Sequence, residues 1–301
     1  YLDVDETVAT VGNPEFMKAG YEAQLKSVVM VKNKNNVIAP YDESAEKKTV
    51  YVPSYTSVST DEETMVVTTV EKPSIQVQAL SKYFNVTTNP EEADLAIIGM
   101  DSPSTGTGYS TEDLEAGGNG YVPISLQYSD YTADTARETA IANDPGKTFI
   151  DSETGEMVYT DTVENRSYKG KTVSASNAYM LDTLKETKEA MGDKPVIVYM
   201  RENKPVVFSE VEPLADAIVI GYGISDQAAV EIIAGATEPS GLLPMQEPAN
   251  METVEAQCED VPMDMECYVD SEGHTYDIAF GMNWSGVIND ERVATYGPDA
   301  Q

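Results

Sequence analysis

Basic residues are scarce in this sequence. Its 301 residues include 52 Asp and Glu against 19 Lys and Arg, which gives a formal net charge of −33. Nucleic acids and acidic membrane surfaces are bound through clustered Lys and Arg, so the composition argues against both as partners. High net charge is also half of the signature of disorder. The other half is missing, because 41% of the residues are hydrophobic and 18 are Tyr, so a folded core is predicted.

Histidine, cysteine and long apolar runs are also rare. The single histidine, His274, lies in a turn-like stretch without a nucleophile or further ligands at a suitable spacing. An exposed or locally bonded side chain is therefore favoured over a catalytic or metal-binding one, and no metal or cofactor is expected. Cys258 and Cys267 are too few for a disulfide scaffold, and two free thiols are favoured over a bridge between them. Apolar runs such as 196–200 and 217–220 are far shorter than the about 20 residues of a membrane-spanning helix.

Short β-branched runs alternate with helical patterns along the chain. Strands are predicted near 50–52, 86–88, 95–98, 195–199 and 216–220, and helices near 75–84, 90–93, 178–191 and 227–234. An earlier helix begins at Asn13 and Pro14, and its apolar stripe is predicted to run through Val29 to a polar turn at 32–36. Continuous apolar strands between helices are typical of a parallel sheet covered on both faces. We therefore expect an α/β fold with a mostly parallel sheet sandwiched between helices, and a long insertion after the strand at 95–100.

The same pattern divides the chain into three parts. Residues 1–40 are predicted to be a linker and a helix that packs on the domain, 41–290 the α/β sandwich domain, and 291–301 a C-terminal tail. Within the sandwich, 102–176 is an insertion rich in Gly, Ser, Thr and acidic residues. Loops at the carboxyl ends of parallel strands commonly hold ligands, so the crevice is expected there. For residues 56–70 the pattern decides neither helix nor strand.

Two kinds of chemistry are compatible with the loop that follows Met100. Its glycines follow a strand, as in a phosphate-binding loop, but no Gly-Lys-Ser/Thr appears and the acidic neighbours would repel a phosphate. Its carboxylates, Asp101, Glu112, Asp113 and Glu115, instead permit glycoside hydrolysis, which uses one protonated and one ionised carboxyl group. Solvated surface charge is the alternative explanation, since 52 residues of the chain are acidic.

A more specific series of motifs occupies the C-terminal third. It contains Lys194-Pro-Val-Ile-Val198, Lys204-Pro-Val-Val-Phe208, Pro239-Ser-Gly-Leu-Leu-Pro244 and Phe280-Gly281 in this order. The series resembles the C-terminal α/β sandwich domain of family-3 glycoside hydrolases, the β-glucosidase family. Residues 19–33 resemble the helix with which that domain begins. The resemblance covers nearly the whole chain and is weak at 41–90 and 110–176.

The resemblance implies a retaining enzyme that hydrolyses terminal β-linked sugars. It leaves the compartment open and favours a bacterial protein that is secreted or on the cell surface over a cytoplasmic one. In that family the catalytic Asp lies on an N-terminal (β/α)8 barrel, which this chain lacks. The chain alone is therefore expected to be inactive. Its implied partners are a β-linked oligosaccharide or glycoside and a barrel domain, from a partner chain or the same enzyme, whose active site it completes.

The resemblance also implies the site residues. The family's acid/base Glu often lies in a Ser-Gly-Glu-Gly-Tyr motif, and here Thr107 occupies its place, although a hydroxyl cannot protonate a glycosidic oxygen as a carboxylic acid does. Some relatives carry a strand-end Asp-x-Pro followed by a Glu, and Asp101 begins such a motif. We therefore predict Asp101, Ser102, Thr107 and Tyr109 as substrate-binding residues and Glu112 as the acid/base.

A non-catalytic carbohydrate-binding or scaffold module derived from the same domain is the alternative. It is favoured by the threonine at position 107 and by the missing barrel. A hydrolase with a serine nucleophile is disfavoured, because the sequence has neither a Gly-x-Ser-x-Gly elbow nor a plausible catalytic histidine.

Overall fold

The chain folds into two compact units. The computed structural model describes residues 3–60, 67–142, 148–151, 153–159, 164–258 and 261–298. The first unit comprises Tyr1–Ser102, Tyr179–Ala249 and Cys267–Gln301, and the second comprises Pro103–Ala178 and Asn250–Glu266. The second unit thus contains most of the predicted insertion together with a later segment that the sequence pattern did not associate with it.

The helices and strands have the following bounds. The helices are α1 (Val4–Thr10), α2 (Pro14–Ser27), α3 (Val77–Leu80), α4 (Thr111–Glu115), α5 (Tyr179–Met191), α6 (Asp226–Ile233), α7 (Met251–Ala256) and α8 (Glu291–Tyr296). The strands are β1 (Val29–Asn33), β2 (Thr49–Tyr51), β3 (Ser54–Thr60), β4 (Val67–Pro73), β5 (Asn85–Thr87), β6 (Leu95–Asp101), β7 (Tyr131–Thr132), β8 (Thr148–Ile150), β9 (Met157–Tyr159), β10 (Thr172–Val173), β11 (Val196–Arg201), β12 (Ala217–Gly221), β13 (Met282–Asn283) and β14 (Gly286–Val287).

An eight-stranded sheet organises the first unit. Its strand order is β14-β13-β1-β12-β11-β6-β2-β5. Strands β12, β11, β6, β2 and β5 are parallel to one another, and β1, β13 and β14 pair in the antiparallel sense. This mostly parallel sheet with its helices confirms the predicted α/β fold.

The central strands are apolar on both faces, as strands of a covered parallel sheet must be. Ile97, Ile197 and Val219 belong to one core cluster together with the apolar residues of α6. The alternate residues of the same strands, such as Ile98 and Val198, are equally inaccessible to solvent. Helix α5 packs against β6 and β11 and buries its own apolar residues, among them Leu181, Leu184 and Met191. The sequence periodicity therefore located these elements to within a few residues.

The prediction for the first helix is wrong at its carboxyl end. Helix α2 begins as expected, with Asn13 accepting a hydrogen bond from the backbone N–H of Glu15 and with Pro14 in the first turn. It ends at Ser27, and the following β-branched run forms β1, which pairs with β12. Pairing buries that run completely, which a continuing helix could not do for successive residues. The start of the predicted stripe is exposed, with Phe16 at 62%, whereas Leu25 near its end packs against the core.

Several smaller elements complete the first unit. The sequence pattern left residues 56–70 undecided, and their described part belongs to the antiparallel pair β3–β4. Helix α1, which was not predicted, is capped by the carboxylate of Asp3. Cys258 and Cys267 are not joined by a disulfide. No helix within the described ranges has the length and apolar character needed to cross a bilayer.

The second unit has little regular structure. It contains the short antiparallel pairs β7–β10 and β8–β9 and the helices α4 and α7. Two tyrosines bind one carboxylate there, since the hydroxyls of Tyr131 and Tyr168 donate to Glu255 over 3.0 and 3.1 Å. Polar contacts of this kind, rather than an extended sheet, hold its loops.

Candidate functional site

Charged and polar residues stand at the carboxyl ends of three neighbouring strands. Asp101 ends β6 and lies in register with Arg201, which ends β11. Glu202 follows Arg201 directly, and Tyr222 follows the last residue of β12. In open α/β sheets this edge is where ligands bind. We call Asp101, Arg201, Glu202 and Tyr222 the strand-end residues.

Arg201 holds the carboxylate of Asp101 in place. Its Nε lies 2.6 Å from Oδ1 of Asp101, and its Nη1 lies 3.8 Å from Oδ1 of Asp226 and donates to the carbonyl oxygen of Ser74 over 3.1 Å. Burial lowers the pKa of the guanidinium, but Asp101 and Asp226 outweigh that effect and raise it. The guanidinium therefore fixes an acceptor group at the edge where the sequence predicted a substrate-binding aspartate.

Ser102 uses its hydroxyl within the first unit. The Oγ atom donates to the carbonyl oxygen of Lys204 over 3.1 Å and accepts from the backbone N–H of Asn203 over 3.3 Å. The side chain joins the segment after β6 to the segment after β11. Ser102 thus shapes the strand-end loops, and its contact with a substrate stays a prediction.

Thr107, Tyr109 and Glu112 belong to one loop of the second unit. Thr107 is exposed between two glycines with left-handed backbone, Gly106 and Gly108. Tyr109 is 48% exposed and packs edge-on against a second tyrosine ring, that of Tyr121. Glu112 is exposed on α4, a short helix capped by the hydroxyl of Ser110. The loop therefore presents an exposed hydroxyl, an aromatic ring and a carboxylate.

Lys171 organises this loop and was not recognised from the sequence. Its Nζ lies 2.6 Å from Oδ2 of Asp113 and donates to Oδ1 of Asn119 and to the carbonyl oxygen of Tyr121. The hydrogen bond from Lys171 lowers the pKa of Asp113. Asp113 thus holds the loop, which leaves Glu112 as the more accessible of these two adjacent carboxylates. Lys171 lies more than 50 residues further along the chain, too far for any local signal.

Glu202 and Glu247 form a buried carboxyl pair that the sequence did not reveal. Glu202 is 3% exposed and Glu247 is fully buried. Burial and the neighbouring carboxyl group raise the pKa of Glu202, and burial also raises that of Glu247. A general acid needs a raised pKa, but a carboxyl group this inaccessible cannot contact a glycosidic oxygen. The one signal available was the position of Glu202 after a predicted strand.

His274 is bonded locally. Asp270 accepts hydrogen bonds from the backbone N–H groups of Glu272 and His274 over 2.9 and 2.8 Å, and its Oδ2 lies 3.0 Å from Nδ1 of His274. The three side chains offer ligand atoms within 4.8 Å of one another. Because both oxygens of Asp270 are engaged in closing this turn, the arrangement is explained by local structure.

Sequence comparison identifies relatives among β-glucosidases. No family model matches the chain. It is 24% identical over 274 residues to the probable β-glucosidase C of Aspergillus flavus, covering 91% of this chain and 31% of that protein. The corresponding protein of Aspergillus oryzae gives the same values. The β-glucosidase C of Emericella nidulans is 39% identical over 80 residues, which are 27% of this chain and 13% of that protein.

Solved β-glucosidase structures are also similar to the chain. That of Listeria innocua matches with a TM-score of 0.47 and 12% identity, over 91% of this chain and 35% of that one. That of β-glucosidase 3B from Thermotoga neapolitana in complex with glucose matches with a TM-score of 0.42 and 14% identity, over 79% and 32%.

Sequence similarity over most of the chain supports a glycoside hydrolase-like domain. More particularly, the chain is homologous to β-glucosidases, which confirms its resemblance to the α/β sandwich domain of family 3. It spans about a third of the length of the curated relatives that it matches over most of its own length. The sequence relatives named here are fungal, so bacterial origin stays a prediction.

Proposed function

We propose that this chain is the second, α/β sandwich domain of a retaining β-glycosidase that hydrolyses terminal β-linked sugars. The observation that supports this most is the coverage of the sequence similarity. It extends over 91% of the chain but only 31% of a β-glucosidase relative. The chain would then complete an active site whose nucleophile lies on a barrel domain, in a partner chain or elsewhere in the same enzyme.

Asp101 suits the binding of sugar hydroxyls. As the partner of Arg201 it presents carboxylate oxygens at the strand edge, and its side chain is 49% exposed. Carboxylates that strengthen their hydrogen bonds to sugar hydroxyls as the reaction proceeds contribute to glycoside hydrolysis. Ser102 and Thr107 would add polar contacts, and the exposed ring of Tyr109 an apolar face for the sugar.

Glu112 would serve as the acid/base. In a retaining mechanism the protonated carboxyl group gives its proton to the leaving oxygen while the nucleophile forms a glycosyl-enzyme. The same group, now ionised, then removes a proton from the water that hydrolyses this intermediate. Exposure of Glu112 on α4 supports this role, since its carboxyl group is open to a substrate held by another domain.

The division of labour is tested with aryl β-glucosides. We expect the purified chain to release no aglycone, and release to begin when the barrel domain is supplied. Turnover by the chain alone, abolished by a substitution within it, would refute the requirement for a barrel.

The role of Glu112 is tested in the complete enzyme with a matched pair of variants. Glu112→Gln removes the ionisable group, and we expect kcat to fall by roughly 10²- to 10⁴-fold, the usual contribution of a general acid. Glu115→Gln changes an exposed carboxylate on the same helix and should leave kcat unchanged. Equal activity of the two variants would remove Glu112 from the mechanism.

A non-catalytic carbohydrate-binding module is the second candidate. The threonine at position 107, where the family's acid is expected, favours it. Calorimetric titration of the isolated chain with glucose, cellobiose and xylose distinguishes the two. Appreciable binding without a barrel supports the module, whereas half of an active site should bind these sugars weakly.

A further inference from the structure

The side chains of Glu202, one of the strand-end residues, and Glu247 are both buried in the first unit. Glu202 follows β11, and its backbone N–H donates to the carbonyl oxygen of Gly221 over 2.9 Å. Glu247 comes shortly after the Pro-Ser-Gly-Leu-Leu-Pro motif, and its Oε2 accepts from the backbone N–H of Val206 over 2.7 Å. Each carboxyl group affects the pKa of the other, which places the two side chains close together in the first unit. Two segments of the first unit are therefore joined through an acidic pair.

This pair has no counter-charge among the described residues. No Lys, Arg or His there forms an ion pair with either side chain. Both oxygens of Glu202 and Oε1 of Glu247 are buried without a donor from any described residue. Two carboxylates in such contact cannot both be ionised, because each penalises the charge of the other in a medium of low polarity. A single proton removes this repulsion, because it neutralises one carboxyl group, which can then donate a hydrogen bond to the other.

The surrounding groups do not replace that proton. Tyr222, which follows β12, faces both carboxyl groups, and its buried hydroxyl has no partner within the described part of the chain. Burial and the two carboxyl groups raise the pKa of this phenol. Cys267 also faces Glu247, and burial raises the pKa of its thiol to about 12. Both groups are thus neutral at physiological pH and supply no positive charge.

We propose that Glu202 and Glu247 share a single proton, and that this proton fastens the segment around Glu247 to the ends of β11 and β12. The segment also accepts from the backbone N–H of Tyr268 and donates to the carbonyl oxygen of Tyr276, over 2.8 and 3.0 Å. Loss of the proton places two charges in a buried space and loosens the segment from the strand edge. The attachment of this segment is therefore pH-sensitive and is strongest in an acidic or neutral medium. The inference is independent of the glycosidase proposal.

The sign of the effect follows from the raised pKa values of the pair. The folded chain keeps a proton that the unfolded chain releases above the ordinary pKa of glutamate. Stability is therefore fully present below that value and falls as pH rises toward the pKa of the folded pair. Across this window the folding equilibrium constant should fall by up to tenfold per pH unit for one proton.

Glu202→Gln tests the proposal by replacing the proton with an amide N–H. The folding equilibrium is measured by urea unfolding from pH 5 to 9 through the fluorescence of Trp284, the one tryptophan of the sequence and a residue of the same unit. We expect the folding equilibrium constant of the wild-type chain to fall as pH rises. For Glu202→Gln the fall should be weaker, by up to a factor of ten per pH unit. Glu189→Gln, at an exposed position of α5, should behave as the wild type. Equal pH dependence of Glu202→Gln and the wild type would overturn the proposal.

Two further measurements do not depend on the variant folding. Infrared difference spectra of the wild-type chain should show a protonated carboxyl group at pH 7, and calorimetric unfolding in buffers of different ionisation enthalpy should show release of one proton. Absence of both signals would overturn the proposal. A metal ion is the competing occupant: if CaCl₂ or MgCl₂ raises the unfolding midpoint of the wild type at pH 8 but not that of Glu202→Gln, a cation holds the pair instead.

Discussion

Replacement of Glu212 by Gln is predicted to destabilise the first unit strongly. Glu212 is 1% and Lys32 4% exposed in their side chains, and the two form a buried ion pair between β1 and the segment before β12. Glu212 also accepts from the hydroxyls of Tyr268 and Ser271 over 2.9 and 2.7 Å. The Nζ atom of Lys32 donates further to the backbone carbonyl oxygen of Glu212 over 2.9 Å. Both charged groups of the pair therefore have hydrogen-bond partners within the protein, and both are shielded from water.

The size of the effect follows from what the variant leaves behind. Gln keeps the shape of the side chain, but the ammonium group of Lys32 then stays buried without an opposite charge. Removal of one partner of a buried pair costs roughly 3–5 kcal/mol, because the remaining charge is not compensated. The exposed pair of Lys18 and Glu22 is the matched control, with side chains 78% and 52% exposed. Glu22→Gln should cost less than about 0.5 kcal/mol.

Urea unfolding followed by Trp284 fluorescence measures both variants in the unit that contains them. A loss for Glu212→Gln below about 1 kcal/mol, the range of exposed pairs, would refute the burial argument. The pH dependence provides a second check. Burial alone would raise the pKa of Glu212, but the hydrogen bonds from Lys32, Ser271 and Tyr268 outweigh it and lower the pKa. The contribution of Glu212 is thus present above the ordinary pKa of glutamate and lost as pH falls, the opposite of the dependence predicted for Glu202.

Three further substitutions test a close contact, a helix and a hydrogen bond of the first unit. A Cβ at Gly99 would lie 2.4 Å from the carbonyl oxygen of Ser74 and 2.7 Å from Nη1 of Arg201, so Gly99→Ala should cost roughly 1–3 kcal/mol in urea unfolding. Gly20→Ala, in open space on α2, should instead stabilise by roughly 0.5–1 kcal/mol, and a loss would contradict the helix. Tyr21→Phe removes the hydroxyl that donates to the carboxylate of Glu231 on α6 over 2.7 Å, and this should cost about 1 kcal/mol. An unchanged unfolding midpoint would show that this hydrogen bond does not hold α2 to α6.

The central sheet was predictable because its signal is local. The runs at 95–98, 196–200 and 217–220 contain no charged residue, so they need cover on both faces wherever they occur. The helical spacing of α5 is likewise contained within its own residues. A residue that ends such a strand, like Asp101, is placed at the edge of the sheet by the same local pattern. Its role as a candidate site residue could therefore be argued before the structure was known.

The run at 28–31 shows where local patterns fail. Its valines fit both the end of an amphipathic helix and a buried strand. Pairing with β12, nearly 190 residues further along the chain, decides for the strand. The same limit applies to Glu202 and Glu247, which are 45 residues apart and have no common motif.

Amino-acid order alone thus established the fold class, the central strands, and the resemblance to β-glucosidases. Each of these depends on neighbouring residues, on periodicity, or on short motifs in a fixed order. Tertiary structure decided the partner of Asp101, the Lys171 contacts within the second unit, and the acidic pair of Glu202 and Glu247. These depend on the register between strands and on loops that meet across 50 to 100 residues, as with Lys171 and Tyr121 and with Arg201 and Asp101. Burial then determines whether such carboxyl groups are ionised, since the free energy of a charge depends on its surroundings.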